Sequence, residues 1–219
     1  MTNQNIFIDI ETAPLDEDYI RSIAPDFKAP KTYKKEEAIE EYKLGKLAEY
    51  IAEGALKAQT GRVIAFGFAI GERSPCVNVA EKPADEKRIL RDFWSLITDE
   101  HGVISKRVIG FNNIDFDIPF LIQRSWLNNV KVPEAVFSAY GRKYYLNDMF
   151  KDVMLRWACG TNKFVSLAQL SKFLGVGGKT ESGENFHRML VEDYQKALDY
   201  LINDVELTRS CAERLGMVL

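Results

Sequence analysis

The sequence has little cysteine and almost no histidine: three cysteines and two histidines in 219 residues. Cys76, Cys159 and Cys211 are odd in number, far apart and without a C-x-x-C pair. They support neither a disulfide framework nor a zinc ribbon and read as reduced core thiols. His101 and His187 share no ligand spacing, which argues against a zinc site of the usual His/Cys kind. Any metal here is then a matter for carboxylates.

Long apolar runs are also missing. Nothing approaches the roughly 18 consecutive apolar residues of a membrane span, and the N-terminus goes straight into Ile6-Phe7-Ile8 without a basic segment or small-residue cleavage site. A cytoplasmic location is the default expectation. There is no surplus of positive charge: 29 Lys and Arg face 32 Asp and Glu, a formal charge of −3. That argues against a protein that coats nucleic acid, but not against an enzyme that grips only a strand end. No repeat or low-complexity segment occurs. What is present is 46% hydrophobic content, enough for one substantial core and one expected domain over residues 1–219.

Asn5 to Ile10 is short, β-branched and apolar, and is expected to be a buried first strand. Arg62 to Ile70 and Cys76 to Ala80 flank the turn Gly71-Glu72-Arg73-Ser74-Pro75, which predicts an antiparallel hairpin. Glu86 to Leu96 has helical spacing, Val108 to Phe111 reads as another strand, and Ile118 to Leu127 as a helix with Pro119 in its first turn. Ser166-Leu167-Ala168-Gln169 is a capping box with Val165 and Leu170 as a hydrophobic staple, and Gly175 marks the stop. The glycines at 175, 177 and 178 are therefore read as punctuation and not as a phosphate cradle, since they follow a helix. A last helix is expected over about Glu192 to Leu215.

Pro25 to Gly61 is too long for a plain loop and is expected to be a helical insertion, with a helix over about Lys35 to Lys57. A solvated helix on the domain edge and a substrate-facing element using Lys28, Lys31, Lys34, Lys35 or Lys57 are both open.

Three acidic clusters bear on chemistry. In Ile8-Asp9-Ile10-Glu11-Thr12 two carboxylates sit at i and i+2 near the end of an apolar strand, on one face. Like charges beside a buried strand repel unless a cation neutralises them, although a strand ending in solvent gives the same pattern. In Gly110-Phe111-Asn112-Asn113-Ile114-Asp115-Phe116-Asp117 a strand gives way to a helix, and Asp115 or Asp117 has the ordinary alternative of capping it. In Tyr200-Leu201-Ile202-Asn203-Asp204 the phenol and carboxylate share a helical face, a spacing common in helices of every kind.

The conjunction is more specific than its parts. D-I-E-T at the start, G-F-N-N-I-D-F-D-I-P-F-L midway and Y-x-x-x-D on the final helix resemble the three exonuclease motifs of the DEDD superfamily, and the middle phrase resembles the second motif of the proofreading domains of family B DNA polymerases. The resemblance runs from about Asn5 to Gly216 and covers Pro25 to Gly61 least. It implies an α/β, RNase H-like mixed sheet, an antiparallel hairpin followed by parallel strands, flanked by helices. It aligns Asp117, not Asp115, with a metal ligand. Tyr200 four residues before Asp204, with Asp199 where the sister subclass carries histidine, points to the tyrosine subclass. In 219 residues there is no polymerase palm or thumb, so a stand-alone exonuclease is implied.

The activity implied is removal of nucleoside monophosphates from the 3′ end of DNA, single-stranded by expectation, with two Mg²⁺ or Mn²⁺ ions and catalytic residues Asp9, Glu11, Asp117, Tyr200 and Asp204. By resemblance Asp9 bridges both ions, Glu11 and Asp204 complete the site of the water-activating ion, and Asp117 helps hold the ion near the leaving oxygen. Tyr200, whose unperturbed pKa of about 10 makes it a poor base, is expected to orient the attacking water. Thr12, Asn112 and Phe116 are candidate substrate contacts. Asn112 can instead hold the junction, and Phe116 is as well suited to the core. RNA is an alternative substrate, since discrimination depends on what meets the 2′-OH. A retired, non-catalytic nucleic-acid adaptor predicts a broken carboxylate set, and none of the five positions is broken. Chance matching in an unrelated α/β domain is weakened by the order and spacing of all three motifs.

Overall fold

Alternating isoleucine and phenylalanine at the start of the chain make the first strand, β1, over Gln4–Pro14, in which Ile6, Phe7 and Ile8 are buried. The computed structural model describes residues 4–140, 149–178 and 186–218, with side chains to 137 in the first stretch. These residues form two compact units, one of residues up to Glu11 with Val63 onward, the other of Thr12–Arg62.

The larger unit is built on a five-stranded sheet ordered β3-β2-β1-β4-β5, where β2 is Gly61–Ile70, β3 Cys76–Val79, β4 Lys106–Gly110 and β5 Phe150–Asp152. β2 and β3 are antiparallel, with Phe66 opposite Asn78. β1 and β4 are parallel, Phe7 opposite Ile109, and β4 and β5 are parallel, Ile109 opposite Lys151. The hairpin and the following parallel strands thus appear as the sequence predicts, in a mixed sheet flanked by helices. β5 is three residues long, too short to show a period, and is not visible in the sequence.

On one side, α3 (Glu86–Ile97) presents Ile89, Leu90, Phe93 and Trp94 to the core, with Phe93 edge-on to Phe66 at 5.7 Å. α4 (Asp117–Leu127) joins it: Trp94 Nε1 donates to Ser125 Oγ at 2.8 Å, and Arg124 Nε donates to buried Glu86 at 2.7 Å. On the other side lies the core cluster of Phe7, Ala69, Ile109, Leu170, Val205 and Cys211. It is closed by two later helices, numbered in chain order after α5 (Glu134–Tyr140) and α6 (Val153–Ala158). They are α7 (Leu167–Leu174) and, after α8 (Phe186–Glu192), the long α9 (Tyr194–Arg214). The Ser166–Gln169 capping box is formed, and Gly175 ends α7 in the left-handed conformation at φ 66°.

Gly67 on β2 is what lets α9 come close. A Cβ there would lie 2.8 Å from Val205 Cγ2 and 2.9 Å from Leu201 Cγ, inside any permitted contact. Removing that carbon seats the helix on the sheet and fixes the height of Tyr200 and Asp204. The cysteines differ from the expectation of core thiols. Only Cys211 is buried, while Cys76 and Cys159 are exposed, because β3 is an edge strand and Cys159 is the left-handed cap that ends α6.

The smaller unit holds α1 (Glu17–Ile23), capped by Asp16, and α2 (Glu36–Ala52) followed by a 3₁₀ turn at Gly54–Leu56. α2 stops before the expected Lys57, with Glu53 as its cap, and in the turn that follows Gly54 packs closely, since a Cβ there would lie 2.9 Å from Ile20 Cδ1. No α2 residue is buried, and Lys57 pairs with Glu53 at 2.8 Å with its ammonium over the Tyr50 ring. No helix among the described residues is long and apolar enough to cross a membrane.

Candidate active site

Period-2 geometry sets Asp9 and Glu11 on the same face of β1 as Phe7. Phe7 belongs to the core cluster under α9, so the two carboxylates are aimed at that helix. From α9 the buried run Leu201, Asp204, Val205, Thr208 faces the sheet. The outcome is one cluster: ligand atoms of Asp9, Glu11 and Asp204 all lie within 4.8 Å of one another. Glu11 is 8% exposed and Asp204 2%. Three carboxylates at such positions repel and are poorly hydrated, and a divalent cation relieves both costs.

Tyr200 stands one helical turn before Asp204, 4% exposed, with the Phe186 ring 6.0 Å away. Burial pushes its phenol well above the usual tyrosine range. The charge and hydrogen bonding of Asp204 push the same way, and so do the charges of Glu11 and Asp9. These influences favour the neutral hydroxyl, which can donate or accept a hydrogen bond.

Asp117 lies outside this group of three. It is 3% exposed, and its Oδ1 accepts from the backbone N–H of Ile10 at 3.1 Å. The cause is local: β1 pairs with β4 only through Phe7, so the amide between Asp9 and Glu11 needs another acceptor. Asp117 therefore pins the strand segment that carries the first two carboxylates. It does not cap its own helix, whose cap residue Phe116 makes no side-chain cap bond. Burial, and then the charge of Asp152, push the Asp117 carboxyl up to about 7. Asp115 is exposed.

The candidate substrate contacts are spread out. Asn112 is a non-glycine residue in the left-handed region at φ 60°, and its backbone N–H donates to Asp152 at 3.1 Å. Phe116 is half-buried with its ring 5.5 Å from Phe120. Thr12 belongs to the smaller unit, where its hydroxyl donates to the Ala55 carbonyl at 2.7 Å.

Asp152 is the residue that the sequence reading misses. At the end of β5 and 4% exposed, it accepts from the N–H groups of Asn112 and Ile114 in the β4–α4 turn and from Met154 and Leu155 at the start of α6. One carboxylate thereby caps a helix and holds the turn that delivers Asp117. Burial raises its pKa, opposed by the four amides. The signal available in sequence is Asp152 standing directly before Val153-Met154-Leu155, a helix-cap pattern.

The mixed five-stranded sheet, with acidic residues gathered from its first strand and from α9, defines the class as an α/β domain. The structure of the family B DNA polymerase from the hyperthermophilic archaeon Pyrobaculum calidifontis matches with a TM-score of 0.62 at 16% identity, over 99% of this chain and 25% of that one. This chain therefore spans a quarter of that polymerase's length. No curated protein sequence matches it. The family model for predicted 3′-5′ exonucleases related to the exonuclease domain of PolB matches residues 55–208, and the chain belongs to that family. The matched segment contains Asp117, Tyr200 and Asp204, while Asp9 and Glu11 precede it.

Proposed function

We propose that this protein is a metal-dependent 3′-to-5′ exonuclease that removes nucleoside monophosphates from the 3′ end of single-stranded DNA, acting as one exonuclease domain over residues 1–219 with a helical insertion at 25–61. The observation that carries this reading is the convergence of Asp9, Glu11 and Asp204 within 4.8 Å, with the Tyr200 phenol under the influence of all three charges.

The donor set fits hard divalent cations. Carboxylate oxygens are what Mg²⁺ and Mn²⁺ prefer, and the cluster contains no histidine or thiolate. Asp9, Glu11 and Asp204 would hold two such ions, and Asp117, one of whose oxygens takes the Ile10 amide, would offer the other. Divalent ions bound there supply an activated water and neutralise charge building on the phosphoryl and leaving oxygens.

The chain's own groups do the positioning. Tyr200 orients the attacking water through its hydroxyl. Asp117 keeps β1 straight between Asp9 and Glu11, and Asp152 keeps the preceding turn closed. Phe116 is proposed to stack on the terminal base, with Asn112 contacting the adjoining backbone.

The test is 5′-labelled single-stranded DNA incubated with Mg²⁺, Mn²⁺ or EDTA, with RNA run in parallel. The expected result is a ladder shortening from the 3′ end, absent with EDTA and with Asp9→Ala. A ladder on RNA alone would move the substrate to RNA, and no shortening of either under any metal would sink the enzyme reading.

A further inference from the structure

Much of the smaller unit serves no core: no residue from 21 to 53 is buried. Two ring contacts hold its irregular segment against α2. Phe27 meets Tyr50 at 5.9 Å and Tyr33 meets Tyr42 at 5.6 Å, so the chain from 27 to 33 runs antiparallel to the helix over about 12 Å. The Tyr33 N–H donates to the Pro30 carbonyl at 3.0 Å in a turn, and α2 begins at Glu36. Positions 28, 31, 34 and 35 of this short segment are all lysine, and all four are exposed.

These lysines differ from the others of the unit. Lys43 pairs with Glu40 at 3.4 Å, Lys46 with Glu49, and Lys57 with Glu53 at 2.8 Å. Among the described residues, Lys28, Lys31, Lys34 and Lys35 have no ion-pair or side-chain hydrogen-bond partner. No carboxylate interrupts residues 27–35. Asp26 precedes them, and Glu36 and Glu37 follow in the first turn of α2, where they complement the positive end of that helix. Over Thr12–Arg62 nine Lys and Arg meet ten Asp and Glu, so the unit's charge is segregated and not in excess. Four like charges within eight residues repel one another, and a polyanion relieves that repulsion. Tyr33, 42% exposed, adds a ring on which a base can stack. Cationic groups interleaved with an open aromatic ring suit a single strand better than an acidic peptide or a lipid surface, which bring no bases to the ring.

We propose that residues 27–35 of the smaller unit form a grip for single-stranded nucleic acid, with Lys28, Lys31, Lys34 and Lys35 on the phosphates and the Tyr33 ring on a base. The unit holds none of the clustered carboxylates, so the grip binds and takes no part in the chemistry. That the strand held is the one being shortened rests on the exonuclease reading; the binding itself does not.

The experiment uses the full chain in EDTA, so that no cleavage occurs. Fluorescence anisotropy with labelled dT20 compares wild type with Lys31→Glu/Lys34→Glu, the conservative Lys31→Arg/Lys34→Arg, Tyr33→Ala, and Lys131→Glu/Lys172→Glu as a charge-matched change in the larger unit. All these positions are exposed, so the variants are expected to fold, and melting curves check it. The expected result is at least about a ten-fold loss of dT20 affinity in Lys31→Glu/Lys34→Glu, with the salt slope reduced by about 1.4 for two lost single-strand phosphate contacts. The arginine variant should retain most of the affinity and Lys131→Glu/Lys172→Glu nearly all. Tyr33→Ala should lose about five-fold or more with little change of slope, since a stacked base releases no counterion. Equal losses in the two glutamate variants, no binding by wild type, or displacement of dT20 by polyglutamate or anionic vesicles at equal charge would overturn the proposal. Because binding is read without metal, lysine-dependent binding together with unshortened 3′ ends would leave the grip standing and remove only the nuclease reading. Shortening by a chain whose binding ignores these lysines would remove only the grip.

Discussion

Gly67→Ala tests whether the seating of α9 on β2 sets the site. The added Cβ would stand 2.8 Å from Val205 Cγ2 and 2.9 Å from Leu201 Cγ, with Leu201 Cδ1 at 3.2 Å. Ordinary carbon contact is nearer 3.5–4.0 Å, so the helix must rise by a substantial fraction of an ångström or the two side chains must leave their rotamers. Overpacking of this kind costs about 1–3 kcal/mol. At about 2–4 °C per kcal/mol for a chain of this size, melting should fall by roughly 2–12 °C. The more telling effect is on chemistry, because Leu201 and Val205 flank Asp204 and follow Tyr200. Lifting them pulls Asp204 away from Asp9 and Glu11, so stabilisation by Mn²⁺ should shrink along with nuclease activity. Paired thermal melts with Mn²⁺ and with EDTA read both effects. A variant that melts like wild type and keeps its full Mn²⁺ shift would refute the claim that this contact sets the site.

Tyr200→Phe should fold with near wild-type melting and lose most 3′-end hydrolysis; wild-type turnover would remove the water-orienting role. In EDTA, stability should fall as pH rises from about 4 towards 7. Asp117 has a folded pKa raised to about 7, so the native state holds more protons than the unfolded chain over that window and the slope of unfolding free energy with pH is negative. Asp117→Asn should flatten that fall in urea titrations across the range, and an unchanged slope would count against the assignment. Asp152→Ala strands four backbone N–H donors, at about 1–3 kcal/mol for each one left buried, and should lower urea-derived stability by at least about 3 kcal/mol. A loss under about 1 kcal/mol would show the turn to be held by other contacts.

What was legible in the sequence was legible for local reasons. The first strand, the hairpin and α3 announce themselves through period and turn residues, and Ser166 with Gly175 brackets α7 because capping chemistry is written in a few adjacent residues. Asp9, Glu11 and Asp204 also come together in space, through a period-2 strand facing a helix. Contacts distant in sequence were less visible. β5 is three residues long, and α1 buries only Ile20, so neither carries a period. Asp152 reads as a helix cap, while its grip on Asn112 and Ile114 is 40 and 38 residues away in sequence. Asp117 has a motif position that names it, but the Ile10 amide it accepts from is 107 residues away and depends on β4 ending where it does. The smaller unit, Thr12–Arg62, extends further towards the N-terminus than the Pro25 to Gly61 stretch that stands out in sequence, because its first helix is short and polar.

Asp9, Glu11 and Asp204 are proposed to form a divalent-cation site. Its most direct test is thermal unfolding of wild type and of Asp204→Asn, each with EDTA and with millimolar Mn²⁺. At 100 times the dissociation constant a ligand bound only by the native state adds about 2.7 kcal/mol, so wild type should melt several degrees higher with Mn²⁺ and Asp204→Asn should lose most of that shift. An equal Mn²⁺ shift in both proteins, or none in wild type, would contradict the claim.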